Sequence, residues 1–161
     1  MRKKVSIVQI ESNDKVSFYS PRYKGEELTE FEKFIKKYSV SHRKDIQTII
    51  TRLDNVKRTS NEDRHFRYES KKRDRVRALP SHLDSSILRL YCIVLAENIL
   101  VLGNGGLKPK GVRTYNEDAI LNKCVSELVK IDLVIKKMQR CKEIWINGCK
   151  LYGNLDIEIN D

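Results

Sequence analysis

The sequence predicts an α+β protein, and three observations carry that prediction. Apolar residues recur at helical spacing in three stretches, they alternate with a period of two in several others, and the two kinds of stretch are segregated along the chain. Strict β-α-β alternation, the mark of a parallel α/β sheet, is missing.

Val5 to Ile10 is rich in Val and Ile and reads as a first strand. Ser12 to Lys24 holds Pro21 and many polar residues, which predicts an extended connection or arm. Thr29 and Glu32 have the spacing of a capping box, and Phe31, Phe34, Ile35 and Tyr38 then recur on one helical face. Ser41 is placed to cap a second helix whose stripe is Ile46, Ile49, Ile50, Leu53 and Val56. The short link between the two predicts an αα-hairpin.

From Arg64 the period changes to two. Phe66 and Tyr68 alternate with His65, Arg67 and Glu69, the charged stretch Ser70 to Asp74 turns the chain, and Arg75 to Leu79 returns before Pro80. Ile87 to Leu95 is the clearest strand, with Leu88, Leu90, Cys92 and Val94 on one face and Ile87, Arg89, Tyr91, Ile93 and Leu95 on the other. Ala96, Glu97 and Asn98 turn it into Ile99 to Gly103, and Asn104, Gly105, Gly106, Pro109 and Gly111 are expected to break regular structure. Leu121, Cys124, Val125, Leu128, Ile131, Ile135 and Met138 then sustain a long helical stripe from about Glu117. In the tail, Asn147-Gly148 predicts a hairpin turn after Ile144 to Ile146, and Leu155, Ile157 and Ile159 alternate as one more short strand. No repeat or linker divides the chain, so one domain is expected over 1–161, with a strand and arm in 1–25 and a β appendage in 141–161.

Composition narrows the class of partner. With 161 residues, 40% of them hydrophobic, the chain can bury a core without staples, and 32 Lys and Arg against 22 Asp and Glu leave a net charge of +10. Nucleic acid is the first expectation and an acidic protein the second. Cys92, Cys124, Cys141 and Cys149 form no C-x-x-C pair, so they read as reduced thiols and no metal or cofactor is expected. The apolar stretch near the N-terminus is too short for a signal peptide or a span, which predicts a cytoplasmic protein with no membrane partner. Nucleotide-cofactor, hydrolase-elbow and zincin patterns are absent, and Gly103 to Gly106 fits neither phosphate-loop spacing.

The charge is unevenly placed. Lys57 to Arg77 holds nine basic and four acidic residues, whereas Glu143 to Asp161 holds four carboxylates and one lysine. Lys108, Lys110 and Arg113 follow the glycine segment, and Lys136, Lys137, Arg140 and Lys142 cluster where the long helix should end.

Leu88-Arg-Leu-Tyr-Cys-Ile, a tight turn, Ile99-Leu-Val-Leu-Gly-Asn-Gly-Gly, then Leu107-Lys-Pro-Lys and a long helix resemble the core of the RelE/HigB/ParE superfamily of bacterial toxins. The layout matches over about Phe31 to Met138, and the residue detail over Leu88 to Lys110. The resemblance implies a RelE-like core over 26–140: two N-terminal helices packed on a mainly antiparallel sheet, then a long C-terminal helix, with the small β segment as an addition. It implies a toxin of a type II toxin-antitoxin system, a metal-independent endoribonuclease cleaving mRNA on the ribosome and neutralised by a cognate helix-turn-helix antitoxin. The alternative is a non-catalytic RelE/ParE-like protein that binds gyrase, an antitoxin or nucleic acid.

Carried onto this chain, the resemblance assigns Arg89 to gripping the phosphate, and Lys108 and Lys110 to holding the RNA backbone. Arg67, on the neighbouring strand, is expected to share the face of Arg89, and Tyr91, two residues along, to stack a base or pass a proton. Arg113 and Tyr115 form a second basic-aromatic pair, and Arg64 adds to the RNA-binding set. Each residue has a plainer use: Arg89 in an ion pair, Tyr91 in the core, and His65 and His82 in structural or exposed positions.

Overall fold

The computed structural model describes residues 2–68, 75–81, 84, 86–108 and 118–160. Within them the order is β1 (Arg2–Ser12), β2 (Ser17–Tyr23), α1 (Glu30–Tyr38), α2 (Arg43–Thr59), a 3-10 turn (Asp63–His65), β3 (Val76–Leu79), β4 (Leu88–Ala96), β5 (Ile99–Leu107), α3 (Ala119–Arg140), β6 (Ile144–Asn147), β7 (Lys150–Gly153) and β8 (Asp156–Asn160). The fold is α+β. A six-stranded mixed sheet runs β3-β4-β5-β2-β1-β8, and β6 and β7 make a separate two-stranded sheet.

The alternation of β4 is realised on both faces. Leu88, Leu90 and Cys92 pack with Phe34, Ile49, Leu53 and Val56 of α1 and α2, while Tyr91, Ile93 and Leu95 pack with Leu121, Val125, Leu128, Ile131 and Ile135 of α3. Helices on opposite faces explain why β4 is apolar at nearly every position. Burying each such large side chain stabilises the fold by roughly 1.5–3 kcal/mol.

The helix starts have local causes. Thr29 and Glu32 close the capping box, with the Glu32 N–H donating to Thr29 Oγ1 at 3.3 Å and the Thr29 N–H to Glu32 Oε1 at 3.0 Å. Asp118 Oδ1 accepts from the N–H groups of Ile120 and Leu121, each at 3.0 Å, and so starts α3. Ser41 does not cap α2. The N-cap is His42, without a side-chain cap bond, and the Ser41 hydroxyl lies 2.8 Å from His42 Nδ1.

Four segments depart from the sequence reading. The expected arm contains a full strand, β2, antiparallel to β1 and parallel to β5 over Ser17–Tyr19, so two strands precede the helices. Its polar residues mislead because Ser20 is buried and bonded, its hydroxyl donating to the Leu102 carbonyl at 2.6 Å and accepting from the Phe31 N–H at 3.1 Å. Phe66 to Tyr68 forms no strand; among the described residues the alternation leaves the single bridge Arg67↔Ala78. The glycines do not end β5, which runs on to Leu107. Finally, β8 leaves the appendage and joins the main sheet beside β1, burying Ile157 and Ile159, while β6 and β7 turn at Gly148 with φ +64. The expected Ser70 to Asp74 turn lies outside the described residues.

Candidate nucleic-acid interface and an adjoining cleft

Sheet register decides which expected site residues meet. Arg67 bridges Ala78, Ala78 pairs with Tyr91, and Arg89 stands two residues from Tyr91, so all four share the face toward α3. Arg67 Nε and Nη2 donate to the carbonyls of Pro80 and Ser81 at 2.8 and 2.9 Å. Arg89 is 7% exposed, and its Nη1 donates to the carbonyls of Ser86 and Leu88 at 2.6 and 2.9 Å. Both guanidiniums thus engage backbone around the connection from β3 to β4. Tyr91 has no exposed surface and belongs to the core under α3.

Lys108 follows β5 at the same end of the sheet, its N–H donating to the Ile87 carbonyl at 2.7 Å. Arg64 is not brought there. It lies three residues beyond Asn61, whose side-chain amide bonds the Ala96 and Ile99 carbonyls at the turn end of the β4-β5 hairpin, and it pairs with Glu62 at 3.0 Å. Lys110, Arg113, Tyr115 and His82 lie outside the described residues.

The described part of the densest basic run in the sequence is engaged within the molecule, while Lys71, Lys72 and Arg73 lie outside the described residues. Lys57 pairs with Glu11 and Asp54, Arg58 bonds Asn55, Arg75 meets Asp132 at 2.7 Å, and the Arg77 guanidinium lies 4.0 Å from the centre of the Tyr68 ring. His65 is buried between Arg52 Nη1 at 3.2 Å and Thr59 Oγ1 at 2.7 Å, and Arg52 holds Asp84 at 2.9 Å. Burial, followed by the Arg52 and Arg64 cations, keeps the His65 pKa below its ordinary value.

A second basic region was hidden in the sequence. β2 and β5 pair only as far as Tyr19↔Val101 and then separate, because Pro21 has no N–H to offer and stays with β1 opposite Ile7. The wedge between Pro21–Tyr23 and Gly103–Gly105, walled by α1 and α3, is a cavity of about 930 Å³. Six lysines (Lys3, Lys4, Lys24, Lys33, Lys37, Lys123) and three glutamates (Glu26, Glu30, Glu127) line it, and its floor is Pro21, Cys124, Leu128 and Ile131.

Tyr23 organises the wall of this cleft. Its hydroxyl donates to Glu127 Oε2 at 2.6 Å, and the Lys3 and Lys33 ammoniums lie 5.5 and 5.7 Å from its ring centre. Burial and the Glu127 bond push its pKa far up, so the phenol stays protonated. The glutamates are occupied too: Glu26 and Glu30 hold Lys33 at 2.5 and 2.6 Å, and Glu127 holds Lys3 at 3.4 Å. Lys4, Lys24, Lys37 and Lys123 have no carboxylate partner among the described residues. Burial and Glu30 push the Cys124 thiol up to about 11, leaving it a neutral part of the floor.

Sequence reasoning missed the cleft because its walls come from five elements spread between Lys3 and Ile131. Pro21 within an alternating stretch, read together with Gly-Asn-Gly in a strand, was the available signal. Among the described residues no cluster of three or more His, Cys, Asp or Glu could hold a metal, and no helix is long and apolar enough to cross a membrane. Comparison with protein-family models, curated proteins and solved structures gave no match.

Proposed function

We propose that this chain is the toxin of a type II toxin-antitoxin pair: an endoribonuclease that cleaves mRNA on the ribosome and is held in check by a helix-turn-helix antitoxin. The observation that carries the reading is the cross-strand row Arg67, Ala78, Tyr91, with Arg89 beside it and Lys108 at the same sheet end. Two arginines on one face of the sheet and a lysine at the same sheet end are the residue types that cleavage by the RNA's own 2′-hydroxyl calls on.

In that reaction the 2′-oxygen attacks the adjacent phosphorus as its proton leaves. The P–O5′ bond breaks, O5′ takes up a proton, and the products are a 2′,3′-cyclic phosphate and a 5′-hydroxyl. Charge on the phosphate oxygens rises on the way, and guanidinium forks already in place stabilise it most where water is excluded. Arg67 and Arg89 would exchange carbonyl bonds for charge-assisted phosphate bonds, which are roughly twice as strong. Lys108 would hold the neighbouring phosphate.

Induced expression tests the reading. Growth should stop, transcripts should show discrete new 5′ ends, and Arg89→Lys or Lys108→Ala should restore growth while the purified variants keep the wild-type circular dichroism melt. Normal growth with intact transcripts refutes it. A second reading, a non-catalytic toxin-like binding protein, is favoured by the burial of Tyr91 and the carbonyl bonds of both arginines. It predicts growth arrest or partner binding without any RNA cut.

A further inference from the structure

We propose that the cleft between β2 and β5 is a nucleotide-binding site, taking a nucleobase on its apolar floor and phosphate on its lysine rim. The inference is independent of RNA cleavage at the Arg67-Arg89 face. It rests on shape and chemistry together.

The shape follows from the sheet. β2 and β5 are its parallel pair, and they splay beyond Tyr19 and Val101, so the wedge opens at the carboxyl ends of adjacent parallel strands. Such crevices are where open sheets take up ligands, because strand ends and loops supply donors there while the sheet supplies a rigid floor. Its volume of about 930 Å³ lies within the range of small-molecule sites, which runs to roughly 1,000 Å³. Glycine keeps the floor low at Gly103, where a Cβ would stand 2.7 Å from Leu128 Cδ1, whereas Gly105 serves the pairing of β4 with β5, since a Cβ there would collide with the Arg89 carbonyl.

The chemistry selects the ligand class. Pro21, Cys124, Leu128 and Ile131 offer an apolar slot, and the neutral Cys124 thiol adds no charge to it. Tyr23 is fixed by Glu127 and carries the Lys3 and Lys33 ammoniums over its ring, which holds two cations in place beside the slot. Every carboxylate in the cleft already has a cation or phenol, whereas Lys4, Lys24, Lys37 and Lys123 hold none among the described residues. The rim therefore has unmatched positive charge above an uncharged slot. A nucleoside phosphate has the complementary halves; a bare polyanion satisfies only the rim, and an uncharged aromatic only the floor.

A free nucleotide and a nucleotide unit of single-stranded RNA present the same chemistry, and titration calorimetry of the full chain separates them. The probes are adenosine triphosphate, inorganic tripolyphosphate and a short oligoadenylate. Adenosine triphosphate should bind at least about tenfold more tightly than tripolyphosphate. Lys37→Glu with Lys123→Glu should weaken it by about tenfold or more, since two rim cations are reversed on exposed positions. Cys124→Phe, which fills the slot, should weaken adenosine triphosphate while sparing tripolyphosphate. Tighter binding of the oligoadenylate assigns the site to RNA, and tighter binding of the mononucleotide assigns it to free nucleotide. Equal affinity for adenosine triphosphate and tripolyphosphate, an unchanged affinity in the double lysine variant, or no binding by any probe near 1 mM, roughly the weakest affinity worth about 4 kcal/mol, overturns the proposal.

Discussion

Asp132→Ala should be among the most damaging single changes in this protein. The carboxylate is completely buried on α3, yet it collects two elements: Oδ1 accepts from Arg75 Nε at 2.8 Å and faces Nη2 at 2.7 Å, Oδ2 accepts from the Arg75 backbone N–H at 3.1 Å, and Lys136 stands 3.4 Å away. Removing it takes the acceptor from the Arg75 backbone N–H and a counter-charge from Lys136, and leaves the guanidinium the Leu95 carbonyl and Gln139 Oε1 at 3.2 and 3.4 Å. Breaking a buried pair from one side costs about 3–5 kcal/mol, and the 24% exposure of the Arg75 side chain lets water repair part of the damage. The lower end, about 3 kcal/mol, is therefore expected, or a melting temperature roughly 6–12 °C lower for a chain of this length. Urea unfolding followed by circular dichroism measures it. Arg75→Met combined with Asp132→Leu should recover part of the loss, because an apolar pair leaves neither partner's charge stranded, while the Arg75 backbone N–H still loses its Asp132 acceptor. A cost below about 1 kcal/mol for Asp132→Ala, or a double variant worse than the single one, would refute the assignment of this pair as the tie between α3 and the start of β3.

Two further outcomes follow. Since burial and two nearby arginines hold His65 below its ordinary 6.5, the unfolded chain binds the extra proton first; the His65 contribution to stability is full above 6.5 and declines as pH falls from there through the folded value, so urea midpoints should drop on acidification and do so less in His65→Gln. The cysteines should label in order of exposure: Cys141 is open to solvent, Cys124 is half-buried with its thiol pushed up to about 11, and Cys92 is fully buried with its thiol pushed further, so near neutral pH a maleimide followed by peptide mass spectrometry should mark Cys141 first and Cys92 only in denaturant.

Where local chemistry determines structure, the sequence was legible. The Thr29-Glu32 box, the α2 and α3 stripes, both faces of β4 and the Asn147-Gly148 turn can each be read from a handful of neighbouring residues, and each appears in the fold. Features set by distant partners were not legible. β2 looks like a loop because Ser17 and Ser20 are polar, and only the Leu102 carbonyl, supplied from far along the chain, makes burying Ser20 favourable. β8 reads as part of a tail until β1 supplies an edge with Val5 opposite Ile157. Asp132 interrupts an apolar helix stripe and would be read as its exposed side without Arg75 to receive it.

Charge shows the same limit at the level of the site. Counted along the chain, the excess of cations is greatest between Lys57 and Arg77, yet in the fold Lys57, Arg64 and Arg75 meet carboxylates, Arg67 meets carbonyls and Arg77 meets an aromatic face. The lysines around the β2-β5 cleft belong to three sequence neighbourhoods, none of which is remarkable in a linear count, and four of them stand without a carboxylate partner among the described residues. Affinity for a polyanion depends on cations whose counterions can be released, and a cation already paired with a protein carboxylate contributes little of that release. Salt dependence of RNA binding should therefore respond more to Lys37→Glu with Lys123→Glu than to Lys57→Glu with Arg64→Glu. A larger response from the second pair would mean that surface ion pairs such as Arg64-Glu62 open readily enough for the linear count to be the better guide.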